Sequence, residues 1–282
     1  MKFRTLLLAS AAVLVAAPAF AQDDITAAFY TPAKGKFLSD TSVELSRQDY
    51  DLGNLGWKDK SLVASEELTY GVTDNLAVFG AITNVFDYDK DAEYELNNDH
   101  NFAYDLGVKY NHNWGKVLGQ AVLGYHTWDP KSWYGEADGL TEYRYGDRWQ
   151  KAINGTVKLG YALDCGLTPY TTFTVDGDVD QTNRELRYTW FAGAHKMLDK
   201  VSLDAGVRYE FGKYDRAGRN PRHGEDVNYE NWYAQAEANY FVKENVTVGV
   251  YGEYYLGGRD AWLSRKDVDY DYTVGLNAKV AF

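Results

Sequence analysis

The sequence predicts an all-β protein: a transmembrane antiparallel up-and-down β-barrel of about twelve strands in residues 22–282, behind a cleaved leader at residues 1–21. Three observations carry this reading. The N-terminus has the pattern of a secretory signal, apolar and polar residues alternate in segment after segment, and five short turns interleave with six longer polar stretches.

The leader comes first. Lys2 and Arg4 precede an apolar run from Leu6 to Ala17 and a small-residue site, Ala19-Phe20-Ala21, the pattern of a secretory signal peptide. Its apolar core is too short to span a bilayer, and polar Gln22-Asp23-Asp24 follow it. Without Lys2 and Arg4, 27 of the 29 basic side chains face 41 acidic ones, a net charge of -14. A chain of that sign does not seek nucleic acid or anionic lipid. After residue 21 no segment approaches the roughly 20 apolar residues of a membrane helix. Low hydropathy is still compatible with a membrane barrel, because half of each strand faces a polar lumen. The single cysteine, Cys165, cannot form an internal disulfide and is expected to pack as a thiol in a turn.

Strands follow from period-two alternation. The last is the clearest. Phe282, Val280, Ala278, Leu276, Val274, Tyr272 and Tyr270 share one face, against Lys279, Asn277, Gly275, Thr273 and Asp271. The split recurs along Val201–Phe211, along Trp232–Tyr240 and along Val246–Tyr254. Earlier segments show it with more interruptions, around residues 68–72, 102–110, 117–125, 157–161 and 188–194, and only Val43 and Leu45 mark a first strand. Short breaks at Thr73-Asp74-Asn75, Asn113-Trp114-Gly115, Asp164-Cys165-Gly166, Leu198-Asp199-Lys200 and Lys243-Glu244-Asn245 read as hairpin turns. Longer polar stretches fall near 48–60, 87–101, 129–147, 178–183, 213–227 and 258–266. With both termini on the short-turn side, this gives twelve strands.

Aromatic residues separate a membrane barrel from a soluble sandwich. On the apolar face, Tyr209, Trp232 and Tyr254 fall near predicted loop ends, and Tyr110, Tyr161, Tyr240 and Phe282 near turn ends, with small and aliphatic residues between. Two such rings match the two interfaces of a bilayer, where amphipathic aromatics rest at headgroup level. A chain that ends on Phe282 after an alternating strand, behind a leader, resembles the bacterial outer-membrane β-barrel proteins of the porin-like superfamily, and is similar in size to small twelve-stranded channels. The resemblance implies a Gram-negative outer-membrane location, lipid and lipopolysaccharide as surroundings, and delivery of the C-terminal strand to the barrel-assembly machinery.

The alternation turns a set of charged side chains inward: Glu67, Asp105, Asp204, Glu210, Glu237 and Glu253, with Lys109, Lys158, Arg187, Arg208 and Lys279. They fit either a transverse field that orients polar solutes or a salt-bridged network that closes the lumen. Bulky inward residues such as Phe79, Tyr170, Phe191 and Tyr251 argue for narrowing, and inward glycines at 107, 124, 160, 193, 206 and 275 argue for space. In the loops, Trp133, Tyr134, Tyr143, Tyr145 and Trp149 suit sugar stacking or loop packing, and Arg216, Arg219, Arg222 and His223 form a basic cluster. The acidic run Asp87, Asp89, Asp91, Glu93, Glu95 lacks the glycine and terminal glutamate of an EF-hand, so no metal site is expected. Asp99-His100 is the one adjacent acid and imidazole in a predicted loop, but a sequential pair points apart on a strand, and the segment Tyr110-Asn111-His112-Asn113 offers no serine for a hydrolase arrangement. His126 and His195 read as ordinary wall residues. The expected function is passive diffusion of small hydrophilic solutes, without enzyme activity or cofactor. The alternative is a closed structural or surface-recognition barrel.

Overall fold

A computed structural model describes residues 24–51, 56–87, 100–128, 150–179, 184–215, 227–259 and 268–282. Twelve strands follow in order: β1 (Phe37–Asp51), β2 (Gly56–Gly71), β3 (Leu76–Asp87), β4 (His100–Trp114), β5 (Val117–Trp128), β6 (Gln150–Tyr161), β7 (Leu167–Asp178), β8 (Arg184–Leu198), β9 (Val201–Asp215), β10 (Val227–Lys243), β11 (Val246–Arg259) and β12 (Val268–Ala281). Each pairs antiparallel with its sequence neighbours, and β1 pairs with β12, so the sheet closes into a barrel. At the seam Phe37 N donates to Phe282 O at 2.7 Å and Phe282 N donates to Phe37 O at 2.9 Å. The two rings stack at 5.5 Å. Closure leaves no edge of unpaired backbone groups, which hydrocarbon would not tolerate.

The five short turns lie where the sequence places them. Gly115 and Gly166 have positive φ, of 65° and 76°, a conformation that costs glycine little. Asp199 (φ 51°) takes the same region in the two-residue turn between Leu198 and Val201. The Thr73 hydroxyl accepts from Leu76 N at 3.0 Å, and the Asn245 amide donates to Ala281 O at 2.7 Å. Two expectations need correction. The stretch at 48–60 is largely strand, since β1 runs to Asp51 and β2 starts at Gly56; ladder hydrogen bonds extend the hairpin where neither face needs to be apolar. Cys165 is exposed instead of packed, because its turn stands clear of the wall.

The two faces of the wall are inverted relative to a soluble protein. Leu106 and Leu276 on the outside are each 64% exposed, while Thr69 and Thr247 on the inside are sealed off. Such an outer face is stable only against lipid. The predicted aromatic residues Tyr110, Tyr161, Trp232, Tyr240 and Tyr254 are exposed on it. Tyr209 lies 4.4 Å from Trp232, and Phe282 lies at the seam. His112 shares this outer face, edge-on to Trp114 at 4.5 Å.

An outward carboxylate interrupts the apolar band. Glu66 is register partner to Thr41 and Ile82 and shares the outer face with Leu68 and Tyr70. Its carboxylate accepts from Ser39 Oγ at 2.6 Å and from the Thr41 hydroxyl. Losing both donors leaves the carboxylate unsatisfied against lipid, so Ser39→Ala with Thr41→Ala should destabilise the barrel by about 1–3 kcal/mol. Glu66→Leu should be neutral or stabilising, because the lipid face disfavours charge. Urea unfolding in lipid vesicles checks both; equal losses would mean that the hydroxyls do not serve the carboxylate.

Candidate functional site

The lumen is built by the inward half of every strand and, at its turn end, by the chain before β1. Residues 24–33 fold into the barrel mouth as successive turns, with Ala27 N donating to Asp24 O at 3.0 Å and Tyr30 N to Ala27 O at 2.9 Å. Gly71 lets this segment lie against β2, since a Cβ there would sit 2.1 Å from Ala33 O. Ile25 enters an apolar cluster with Leu38, Phe241 and Ala281, packed by Tyr30 and Met197.

Polar contacts tie the segment to four further strands. His195 Nε2 on β8 lies 2.7 Å from Asp24 Oδ2, and Thr26 Oγ1 lies 2.7 Å from Ser202 Oγ on β9. Asn111 on β4 donates to Phe29 O at 2.5 Å and to Thr31 Oγ1 at 2.8 Å, and is itself held by Gln120 at 2.9 Å. Lys158 on β6 donates to Ala28 O at 3.0 Å. The Phe29 ring meets Tyr170 edge-on at 5.9 Å and lies where a side chain at residue 160 would be. Burial works to raise the Asp24 pKa, but the His195 and Thr26 hydrogen bonds outweigh it and hold the carboxyl below its ordinary range. The sequence pattern did not mark this plug: residues 24–33 have no alternation, and their partners lie far along the chain.

Of the eleven inward candidates, Glu67, Lys109, Lys158, Asp204, Glu237 and Lys279 line one cavity, and most of the set are joined in small groups. Glu67 pairs with Lys109. Arg208 binds Glu253 with two nitrogens, at 3.0 and 2.7 Å, and reaches Glu210 at 2.5 Å while its guanidinium lies 4.1 Å from the Tyr233 ring. Arg187 stands 3.9 Å from Glu210. Lys279 lies between Glu237 at 3.3 Å and Asp40 at 3.7 Å, and Glu237 also accepts from Asn239 and Asn277. Asp105 meets His126 Nδ1 at 2.6 Å, and Asp204 accepts from the Tyr170 hydroxyl at 2.8 Å. His195, expected to be an ordinary wall residue, bridges Asp24 and Asp204, the second at 3.5 Å.

Above the plug remains a cavity of about 550 Å³ that reaches Asp40, Lys109, Lys158 and Asp204, and beside it a second of about 320 Å³ lined by Glu44, Ser65 and Asn277. The inward glycines open less of this space than their number suggests. Phe79 lies over Gly107, and Phe191 over Gly193 and Gly206, each ring at the place a Cβ would take. The aromatic loop group (Trp133, Tyr134, Tyr143, Tyr145, Trp149), the basic group (Arg216, Arg219, Arg222, His223), the acidic residues from Asp89 to Glu95, and the side chains of Asp87 and His100 lie outside the described residues.

No protein-family model matches the chain, and no curated protein is similar to it. Among solved structures it is similar to an outer-membrane channel from Pseudomonas putida F1, with a TM-score of 0.65 and 14% identity over 90% of this chain and 98% of the other. It is also similar to the NanC porin, with a TM-score of 0.50 and 8% identity over 85% and 98% of the two chains. At these identities the likeness is one of architecture: the chain has the closed, antiparallel fold of bacterial outer-membrane β-barrels.

Proposed function

We propose that this chain, once residues 1–21 are removed, resides in the outer membrane of a Gram-negative bacterium as a narrow channel for passive diffusion of small hydrophilic solutes, and is not an enzyme. The carrying observation is a cavity of about 550 Å³, lined by charged side chains, inside a closed barrel with an apolar outer face. Charged walls favour polar solutes over apolar ones. The terminal strand, ending on Phe282, is the segment that the barrel-assembly machinery would bind. Arg47 and Lys60 are cross-strand partners on the outer face, and Arg47 is also paired with Tyr272 of the loop-end aromatic belt. They suit the phosphates of lipopolysaccharide.

A second reading, a closed structural or surface-recognition barrel, draws on the plug, whose hydrogen bonds to four strands anchor it across the turn end. Single-channel conductance of the mature protein in planar bilayers separates the two. The channel reading expects discrete steps, and deletion of residues 24–33 should raise their size several-fold. Silence from a folded barrel both with and without those residues would favour the closed reading.

The plug also sets a pH dependence. A carboxyl whose folded pKa lies below its ordinary value of 3.8 contributes stability that is present above that pH and lost as pH falls through the folded value. The Asp24 anchor should therefore hold from neutral pH down to about 4, and conductance should rise only on further acidification. Asp24→Asn should conduct more than the wild type at pH 7 and show a smaller acid-induced rise. A full acid response in Asp24→Asn would assign the effect to another group.

A further inference from the structure

The lumen is unevenly neutralised. In the cavity above the plug, Glu67 has Lys109, and Asp204 has the Tyr170 hydroxyl and a share in His195, which Asp24 also uses. Two other sites, on opposite walls, stand out. Asp40 on β1 and Glu237 on β10 share the single ammonium of Lys279 on β12. Lys158 on β6 has its one hydrogen bond, among the described residues, to the neutral carbonyl of Ala28, with no described carboxylate within 4 Å. In a closed ring of twelve strands β6 stands six strands from β12 in either direction. An excess positive charge therefore faces an excess negative charge across one lumen. Glu44, inward on β1 in the adjoining cavity, adds a further carboxylate to the acidic side.

We infer that this cavity is a binding site for small zwitterions, molecules carrying an ammonium and a carboxylate, with the carboxylate on Lys158 and the ammonium between Asp40 and Glu237. The inference rests on the channel reading and names its preferred solute. A lone anion gains Lys158 but meets the surplus of carboxylates opposite, and a lone cation meets the reverse. Only a solute with both charges gains at both walls, and charges between protein walls interact more strongly than in bulk water. The volume lies in the range of small-molecule sites, and Phe79 and Phe191 line it with apolar surface for a short carbon chain.

The test uses three matched probes at pH 7: 5-aminopentanoate, pentanoate and pentylammonium. Their residence times are read as interruptions of single-channel current, and their equilibrium binding to the detergent-folded mature chain is read by dialysis. The zwitterion should bind about tenfold more tightly than either singly charged probe. Lys158→Met should abolish that advantage and Lys158→Arg should keep it. Asn111→Ala loosens the plug at a side chain that does not itself line the cavity and should also keep it, which separates loss of the charge from loss of the contact to Ala28. Equal binding of the three probes, an unchanged preference in Lys158→Met, or an equal loss in Asn111→Ala would overturn the inference. If no current is seen but dialysis gives the zwitterion preference and its dependence on Lys158, the channel reading fails and the site stands.

Discussion

Everything in this molecule depends on satisfying backbone hydrogen bonds where water is absent. An open sheet edge inside hydrocarbon would leave a row of unpaired donors and acceptors, each costing several kcal/mol. The β1–β12 ladder and the reciprocal bonds between Phe37 and Phe282 remove that edge. Closure then fixes where the termini lie. With an even number of strands both ends of the barrel chain emerge at the turn end, so the residues before Phe37 start at the lumen mouth. There the inward face offers Asn111, Lys158, His195 and Ser202, and the segment's own carbonyls and Asp24 find partners without adding a strand. The plug is thus a local consequence of the seam.

How far the sequence reveals this follows from the range of each interaction. Alternation is a property of adjacent residues, and a one-residue slip would turn every apolar side chain into the lumen. The strand count and the turns were therefore legible without any pairing information. The first hairpin was the least legible: Ser39, Thr41 and Glu66 put polar groups on the lipid face, where the pattern calls for apolar ones. Those groups satisfy one another across the β1–β2 pair, a compensation visible only once register is known. The Asp24–His195 contact spans 171 residues and has no signature in either neighbourhood. Inward glycines misled in a different way. Taken singly they suggest space, but the rings of Phe79 and Phe191 lie in it.

That exchange of glycine for aromatic surface narrows the bore while leaving polar walls. It also limits which charges can meet. Ion pairs form between side chains on adjacent or next-adjacent strands: Glu67 with Lys109 from β2 to β4, Arg208 with Glu253 from β9 to β11, Lys279 with Asp40 from β12 to β1. Charges on opposite walls have the cavity between them, so an imbalance on one wall cannot be cancelled by direct contact with the other.

A lumen of this width therefore neutralises itself arc by arc and keeps whatever remains as a field across the cavity. Part of that remainder is one ammonium on β6 opposite two carboxylates that share one ammonium across β10, β12 and β1. Burying an unpaired charge is expensive, and the carbonyl of Ala28 offsets only part of that cost for Lys158. The plug and the cavity thus compete for the same ammonium: the tighter Lys158 is held by Ala28, the less of its hydrogen-bonding capacity remains for a solute. The two readings of this barrel, closed and conducting, meet at that side chain.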